Sequence, residues 1–472
     1  MKHFFVYTLV ISLFVGLISC ERDSIIKQGN VTLNFSVDTV LFDTVFCSIG
    51  SVTKRFTVKN PYDETVLVKE IYLAQNNNYY RINIDGQPTK RVTNVEIPPK
   101  DSLYIFVEVT VDPQNENNPV LINDSIVFVT NDSRQDVDLV AYGQDVEVLR
   151  RGALQINRLT ADKPYLVYDT VWVDSGNELV VDAGARLFFT NRSALIVFGK
   201  ITVNGTLNNE VTFEGSRLDD YYNDKPGQWG GLIFASGSVD NKIEYAEIKN
   251  ATIGLLVGTL NEGARPTLWL SNSKVQNMSY AGIFAVNSGI LMTNCLVTNC
   301  KYYTFANVWG GNYEVYNSTL ANYWSATVRT EPSVVLSNYI LLDKVYAGDL
   351  TNAYFGNCII YGSHEDEISF NFHLEGGDST FFFENSIIRV DEKKTDITNE
   401  NLFSNILNTS ELKFISIAEH NYHLDTLSVA KDIGNVNIIN NFPLPEILRF
   451  DIDGNSRLLD IAPDLGVYER VE

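Results

Sequence analysis

The chain has 472 residues, enough for two or three domains with cores of their own. Lys and Arg number 36 against 58 Asp and Glu, a net charge of −22, so the surface repels phosphate backbones and nucleic acid is not expected as a partner. Five cysteines are too few for a disulfide scaffold.

Lys2 and His3 precede an apolar run, Phe4 to Ile18, that leads into Leu17-Ile18-Ser19-Cys20. The run is about 15 residues, short of the roughly 20 that a membrane span needs. Residues 1–19 therefore read as a secretory signal. Leu17-Ile18-Ser19-Cys20 resembles a bacterial lipobox, which implies that Cys20 carries lipid and becomes the mature N-terminus. The acidic start Cys20-Glu21-Arg22-Asp23 resembles an outer-membrane or surface-export signal of Gram-negative lipoproteins. The resemblance implies a protein held at the outer membrane by its lipid, facing the cell surface or the periplasm. Residues 20–30 are then a linker.

Residues 31–148 show short alternating segments such as "KRFTVKN", "TVLVKEIYLA" and "SLYIFVEVTV", separated by turns such as Asn60-Pro61 and Pro98-Pro99. Strands at this spacing predict a β-sandwich. The order "RFTVKNPYDETVLVKEI…IPPKDSLYIFVEVTVDP" resembles the abnormal-spindle/hydin-type immunoglobulin-like domains, which implies a spacer or adhesive module.

Past Arg150-Arg151-Gly152 the pattern changes to a repeat. Asn272, Asn294, Asn317, Asn338, Asn357 and Asn385 recur at intervals of 22, 23, 21, 19 and 28 residues. A compact residue or Tyr follows each (Ser273, Cys295, Ser318, Tyr339, Cys358, Ser386). Two positions further lies an apolar residue: Val275, Val297, Leu320, Leu341, Ile360, Ile388. A period near 22 without helical patterning predicts a parallel β-helix, in which these asparagines form a ladder along one turn. A leucine-rich repeat would need a helical half, and a propeller about twice the period.

The segments "VVDAGARLFF…ALIVFGKITVNGT…VTFEGS…GQWGGLIF" resemble the opening coils of bacterial right-handed parallel β-helix proteins of the pectate-lyase-like superfold. "SVAKDIGN" and "FDIDGNSRLLDIAPDLGVYE" resemble the segment that closes such chains. The expected architecture is all-β: a β-sandwich, a right-handed β-helix over 150–430 with about 12 coils, and a closing segment over 431–472. This superfold hosts lyases, glycosidases, epimerases, adhesins and inert surface proteins, so fold alone names no activity.

Four cysteines, Cys47, Cys295, Cys300 and Cys358, read as buried small residues. Counting every Asn as a coil puts Cys295 and Cys358 three coils and roughly 14 Å apart, beyond disulfide reach. Two acidic stretches are candidates for calcium or for acid–base chemistry. One is Asp219, Asp220 and Asp224 around Tyr221 and Tyr222. The other is "GSHEDEISFNFHLEGGD", with His364, Glu365, Asp366 and Glu367 followed by His373, Glu375 and Asp378. Neither has tight metal-ligand spacing, and both also read as solvated acidic loops. Tyr302, Tyr303, Trp309, Tyr313, Tyr323 and Trp324 are candidate glycan contacts, because exposed rings with polar rims hold sugars; the same residues also suit core ladders.

No full catalytic set is legible. The expected function is a lipid-anchored protein whose β-helix binds a polysaccharide or a surface protein. The alternatives are a polysaccharide lyase or glycoside hydrolase, and a structural subunit of an outer-membrane assembly. A basic residue beside two or more carboxylates on one exposed coil face favours the enzyme. An aromatic row without such a cluster favours binding, and an apolar flat side favours assembly.

Overall fold

The computed structural model describes residues 24–75, 77–113, 116–258, 266–459 and 461–471. Residues 1–23, with the apolar run and Cys20, lie outside the described residues. The chain divides into two compact units at Asp145/Val146.

The first unit is a sandwich of two five-stranded sheets. One runs Asn34–Phe35, Lys54–Lys59, Ser102–Val109, Tyr80–Ile84, Gln87–Pro88; the other runs Thr39–Phe46, Arg134–Gln144, Val120–Val129, Val66–Leu73, Arg91–Ile97. Alternation in the sequence becomes alternation of burial. Leu103, Ile105, Val107 and Val109 face the core, while Ser102 and Tyr104 face water. The two proline turns foreseen in the sequence are pinned by one buried side chain. Asn60 Nδ2 donates to the carbonyls of Glu64, Ile97 and Pro98 at 2.8, 3.0 and 3.0 Å.

The second unit is a parallel β-helix built on one continuous 24-stranded sheet. Its first face stacks Glu178–Asp182, Lys200–Asn204, Asn241–Glu244, Pro266–Ser271, the ends of Ala281–Thr293 and Tyr303–Tyr316, then Leu350–Gly356. Its second face stacks Val211–Gly215, Ala246–Lys249, Lys274–Met278, Leu296–Cys300, Thr319–Asn322 and Ile359–Gly362. The third stacks Leu195–Val197, Leu232–Phe234, Ile253–Val257, the starts of Ala281–Thr293 and Tyr303–Tyr316, Val334–Ser337 and Ile368–Asn371. Strands pair in parallel with the coils before and after, apart from register shifts such as those at Val286/Ser288 and Gly311/Asn312. The inward side chains form columns such as Val203, Ile243, Leu270, Met292, Val315, Phe355, all fully buried. Each such burial contributes about 1.5–3 kcal/mol. The coils are fewer than about 12, because insertions consume part of the length.

The corner between the first and second faces carries the asparagine ladder. Asn272, Asn294, Asn317, Asn357 and Asn385 sit on successive rungs in the left-handed region, with φ of 46, 50, 44, 53 and 49°. Asparagine tolerates this conformation better than other residues with a Cβ. Asn294 Nδ2 reaches Asn272 Oδ1 at 3.2 Å, and Asn385 Nδ2 reaches Asn357 Oδ1 at 3.4 Å. The next residue seals the bend. Ser273, Cys295, Ser318, Cys358 and Ser386 each donate to the carbonyl two residues back.

Asn338 is not part of this ladder. Its φ is not left-handed, and its amide instead ties a loop, donating to the carbonyls of Gly377 at 2.6 Å and His373 at 3.4 Å. Asn317 and Asn357 are true neighbours, because Thr319 pairs with Ile359 across one long coil. That coil carries an inserted hairpin, Tyr339–Leu341 with Val345–Ala347. Leu341 therefore lies 65% exposed, whereas Val275, Val297, Leu320, Ile360 and Ile388 are all fully buried. Cys295 and Cys358 are two rungs apart, not three, about 10 Å and still beyond disulfide reach. All four described cysteines are buried, and burial pushes each thiol up to about 12.

A second column of left-handed asparagines, Asn250, Asn277 and Asn299, marks the corner between the second and third faces. The closing segment, with helices Val436–Asn441 and Pro445–Leu448, runs along the first asparagine corner. Asn294 Nδ2 donates to Ile447 O and Phe450 O, and Asn385 Nδ2 to Ile433 O.

Candidate functional site

The six aromatic candidates go to different places. Tyr313 is in the core, fully buried, and its hydroxyl donates to Gly310 O at 2.8 Å. Tyr323 packs against Phe414 and Tyr422 of the chain's later segment, with centroids 6.4 and 6.2 Å away. Trp309 holds the inserted hairpin, its Nε1 donating to Ala347 O at 2.6 Å. Trp324 closes a turn through Thr327 Oγ1 at 2.9 Å. These four form no common row.

Tyr302 and Tyr303 do share a surface. Tyr303 opens the third-face strand just past the second corner and Tyr302 precedes it, while Tyr280 occupies the rung before Tyr302. The Tyr280 ring lies 5.1 Å from Tyr302, 6.3 Å from Tyr303 and 5.7 Å from Phe284, edge to face in each case. Together with Tyr339 of the inserted hairpin, Tyr280, Phe284 and Tyr303 line an open groove of about 680 Å³. Its floor is the outward side of the third face, including Val308 and Val335, with Ser337 and Asn371 as polar points. Burial and the neighbouring Glu331 carboxylate push the Tyr303 hydroxyl up to about 12.

The acidic candidates are dispersed. Asp219 accepts from Arg217 Nε at 3.3 Å, Asp224 accepts from Asn277 Nδ2 at 3.2 Å, and Asp220 opens a single helical turn, Asp220–Tyr222. Arg217 lies over the Tyr222 ring, 3.8 Å from its centroid. In the later loop, Asp366 pairs with Lys394 at 3.2 Å, and Glu365 is exposed. His364 donates its backbone N–H to Glu367 Oε1 at 2.8 Å. Glu367 is fully buried and grips Arg329 with both oxygens, at 2.5 and 2.8 Å, so it is a structural ion pair and not a solvated ligand. Among the described residues no three His, Cys, Asp or Glu side chains come together as a metal site.

Three features were not singled out in the sequence. Tyr280, Phe284 and Tyr339 complete the third-face groove. On the second face, Lys249 Nζ lies 2.9 Å from Glu214, with Glu247 two residues away on the same side. Burial holds the Glu214 carboxyl above its usual range despite that lysine. On the first face, Trp269 points outward between two buried leucines, Leu268 and Leu270, and sits in a second groove of about 520 Å³. The alternation in "LWLS" already carries that signal, since neighbours on a strand face opposite ways.

No protein-family model and no curated protein matches the chain. Among solved structures, a family 123 glycoside hydrolase from Clostridium perfringens is 8% identical with a TM-score of 0.18, over 24% of this chain and 26% of that one. A protein of unknown function from Porphyromonas gingivalis W83 is 10% identical with a TM-score of 0.19, over 26% of this chain and 59% of that one. XylC in its complex with xylose is 9% identical with a TM-score of 0.21, over 89% of this chain and 85% of that one. The chain thus spans about a quarter of the hydrolase's length. At these TM-scores the likenesses carry no statement about activity, and the architecture rests on the chain's own strand pairings.

Proposed function

We propose that this chain is a lipid-anchored protein of the outer membrane whose β-helix binds glycans, with the N-terminal sandwich as an immunoglobulin-like spacer. The observation that carries the binding role is the third-face groove, where Tyr280, Phe284, Tyr303 and Tyr339 present rings beside Ser337 and Asn371. Rings with hydroxyls at their edges supply stacking area and hydrogen bonds together, the combination a pyranose needs. The anchoring role rests on Cys20 and its lipobox context.

The test is a glycan array probed with the full chain, with calcium and with chelator, beside palmitate labelling of the wild type and Cys20→Ala. Support is binding that survives chelator and falls at least about tenfold in Tyr303→Ala, with label lost in Cys20→Ala. Calcium-dependent binding to acidic glycans that ignores Tyr303→Ala would move the site to the acidic loops. Silence across the array would leave a structural subunit as the reading. A second reading, a polysaccharide lyase or glycoside hydrolase, is favoured by Lys249 beside Glu214 and Glu247. It requires new sugar ends in the bound glycan, absent with Glu214→Gln.

A further inference from the structure

The first face carries a groove that shares no residue with the third-face groove. Its floor follows one outward row with one side chain per rung: Thr202, Lys242, Trp269, Leu291 and Glu314. Trp269 is the aromatic plate in this row. It is only partly covered and lies outside the core clusters of the β-helix. The Lys242 ammonium stands 5.1 Å from the Trp269 ring centroid. The indole Nε1 is buried and makes no hydrogen bond within the described protein.

The charge around this plate has no cationic excess. Lys200 and Lys242 line one end and are already neutralised from outside the groove: Lys200 Nζ lies 3.0 Å from Glu178, and Lys242 Nζ 2.6 Å from Glu244. Asp240 and Glu314 also line the groove, and Glu314 is held by the Tyr316 hydroxyl at 2.9 Å. Asn312, on the adjacent row, meets Asn352 of the next rung at 3.4 Å. The groove therefore offers donors and acceptors beside an apolar plate, with no excess positive charge. An anionic sugar finds no unpaired cation there. An uncharged sugar, with an apolar C–H face and a rim of hydroxyls, meets a partner for each part. The rungs repeat at about 4.8 Å, comparable to one pyranose residue in an extended chain. A linear glycan laid along the stacking direction thus meets a new rung with each sugar.

We propose that the first-face groove is a second glycan-binding site, one that takes a neutral linear glycan laid along the coil stack. Trp269 is its stacking plate, and Lys242, Asn312 and Glu314 form its hydrogen-bonding rim. The site rests on the general reading of the β-helix as a glycan binder but not on the third-face groove.

The test is calorimetric titration of the purified full chain with neutral cello- and manno-oligosaccharides of increasing length, with uronate oligomers as the charged comparison. Affinity is expected to rise with each added sugar. Trp269→Ala is expected to weaken binding at least about tenfold, Trp269→Tyr to retain most of it, and Tyr104→Ala, an exposed ring on the sandwich, to leave it unchanged. An unaltered thermal midpoint in Trp269→Ala separates lost stacking from lost folding. Wild-type affinity in Trp269→Ala, or tighter binding of uronates, overturns the proposal. If Tyr303→Ala abolishes binding and Trp269→Ala does not, this site fails and the third-face reading stands. If no oligosaccharide binds at all, both fail.

Discussion

A single asparagine at a left-handed corner can hold a turn in several directions, and Asn294 does so. Its amide nitrogen bonds Asn272 below and two carbonyls of the closing segment beside it, while Arg457 Nη2 donates to its Oδ1 at 3.4 Å. Asn294→Ala removes these bonds and places a residue with no local polar compensation at φ 50°. The expected loss is about 2–4 kcal/mol, read as a fall in the denaturant midpoint of the β-helix unit. Asn294→Gly should recover the backbone part only. The recurrence of Asn with Ser or Cys was legible because each corner repeats the same local chemistry: a left-handed residue, then a small donor to its own preceding carbonyl. Asn338 fitted the spacing but not the chemistry, and Tyr339 after it, too large for the inside of the bend, was the local sign.

At the scale of elements, insertions decide what faces water. The stretch between Thr319–Asn322 and Ile359–Gly362 leaves the regular path, and a buried ion pair ties it back. Arg329 donates to both oxygens of Glu367 and also to Glu331 O, Asn322 O and Ser363 Oγ. Ser333 N and His364 N complete the shell around the carboxylate. Arg329→Ala leaves that carboxylate buried and unpaired, so urea unfolding should show a loss of about 3–5 kcal/mol. Replacing both partners, as in Arg329→Met with Glu367→Leu, should be less damaging than Arg329→Ala alone. A larger loss in the double variant would mean that the pair itself, and not the orphaned charge, supplies the stability. Glu367 stood in the sequence among His364, Glu365 and Asp366, and nothing local distinguishes it from them; its partner is 38 residues away.

At the scale of the molecule, the later segment is a second layer on the β-helix. Phe414, Tyr422, Leu465 and Val467 pack on Leu296, Ala321, Ile359 and Tyr361 of the second face. Arg457 is fully buried beneath it, donating to the carbonyls of Gly466 and Val467 at 2.9 Å each and pairing with Glu469 at 3.3 Å. Burial pushes the Glu469 carboxyl up to about 7 against the pull of Arg457. A carboxyl whose pKa is raised on folding binds its proton more tightly in the folded state. Its stabilisation is full below the ordinary carboxylate range and is lost as pH rises through about 7. Thermal unfolding between pH 5 and pH 8 should therefore show stability falling with rising pH, with about 2 kcal/mol of the fall due to Glu469, a slope that Glu469→Gln reduces. A slope unchanged in that variant would place the titration elsewhere.

The sequence by itself determined the class of each unit: strand alternation for the sandwich, a 22-residue repeat with an asparagine at each turn for the β-helix. These are local and periodic properties, and each coil restates them. Which rings meet across rungs was decided by the tertiary structure. Tyr280 joins Tyr303, Trp309 is spent on a hairpin, and Trp269 comes to lie beside Lys242 only because consecutive coils register strand on strand. Side chains on a strand alternate with a period of two, so one bulge or one inserted hairpin between rungs changes which face a residue occupies. The length of an insertion is written in the sequence, but the register after it is set by the columns of Val, Ile and Phe that must close again inside the coil.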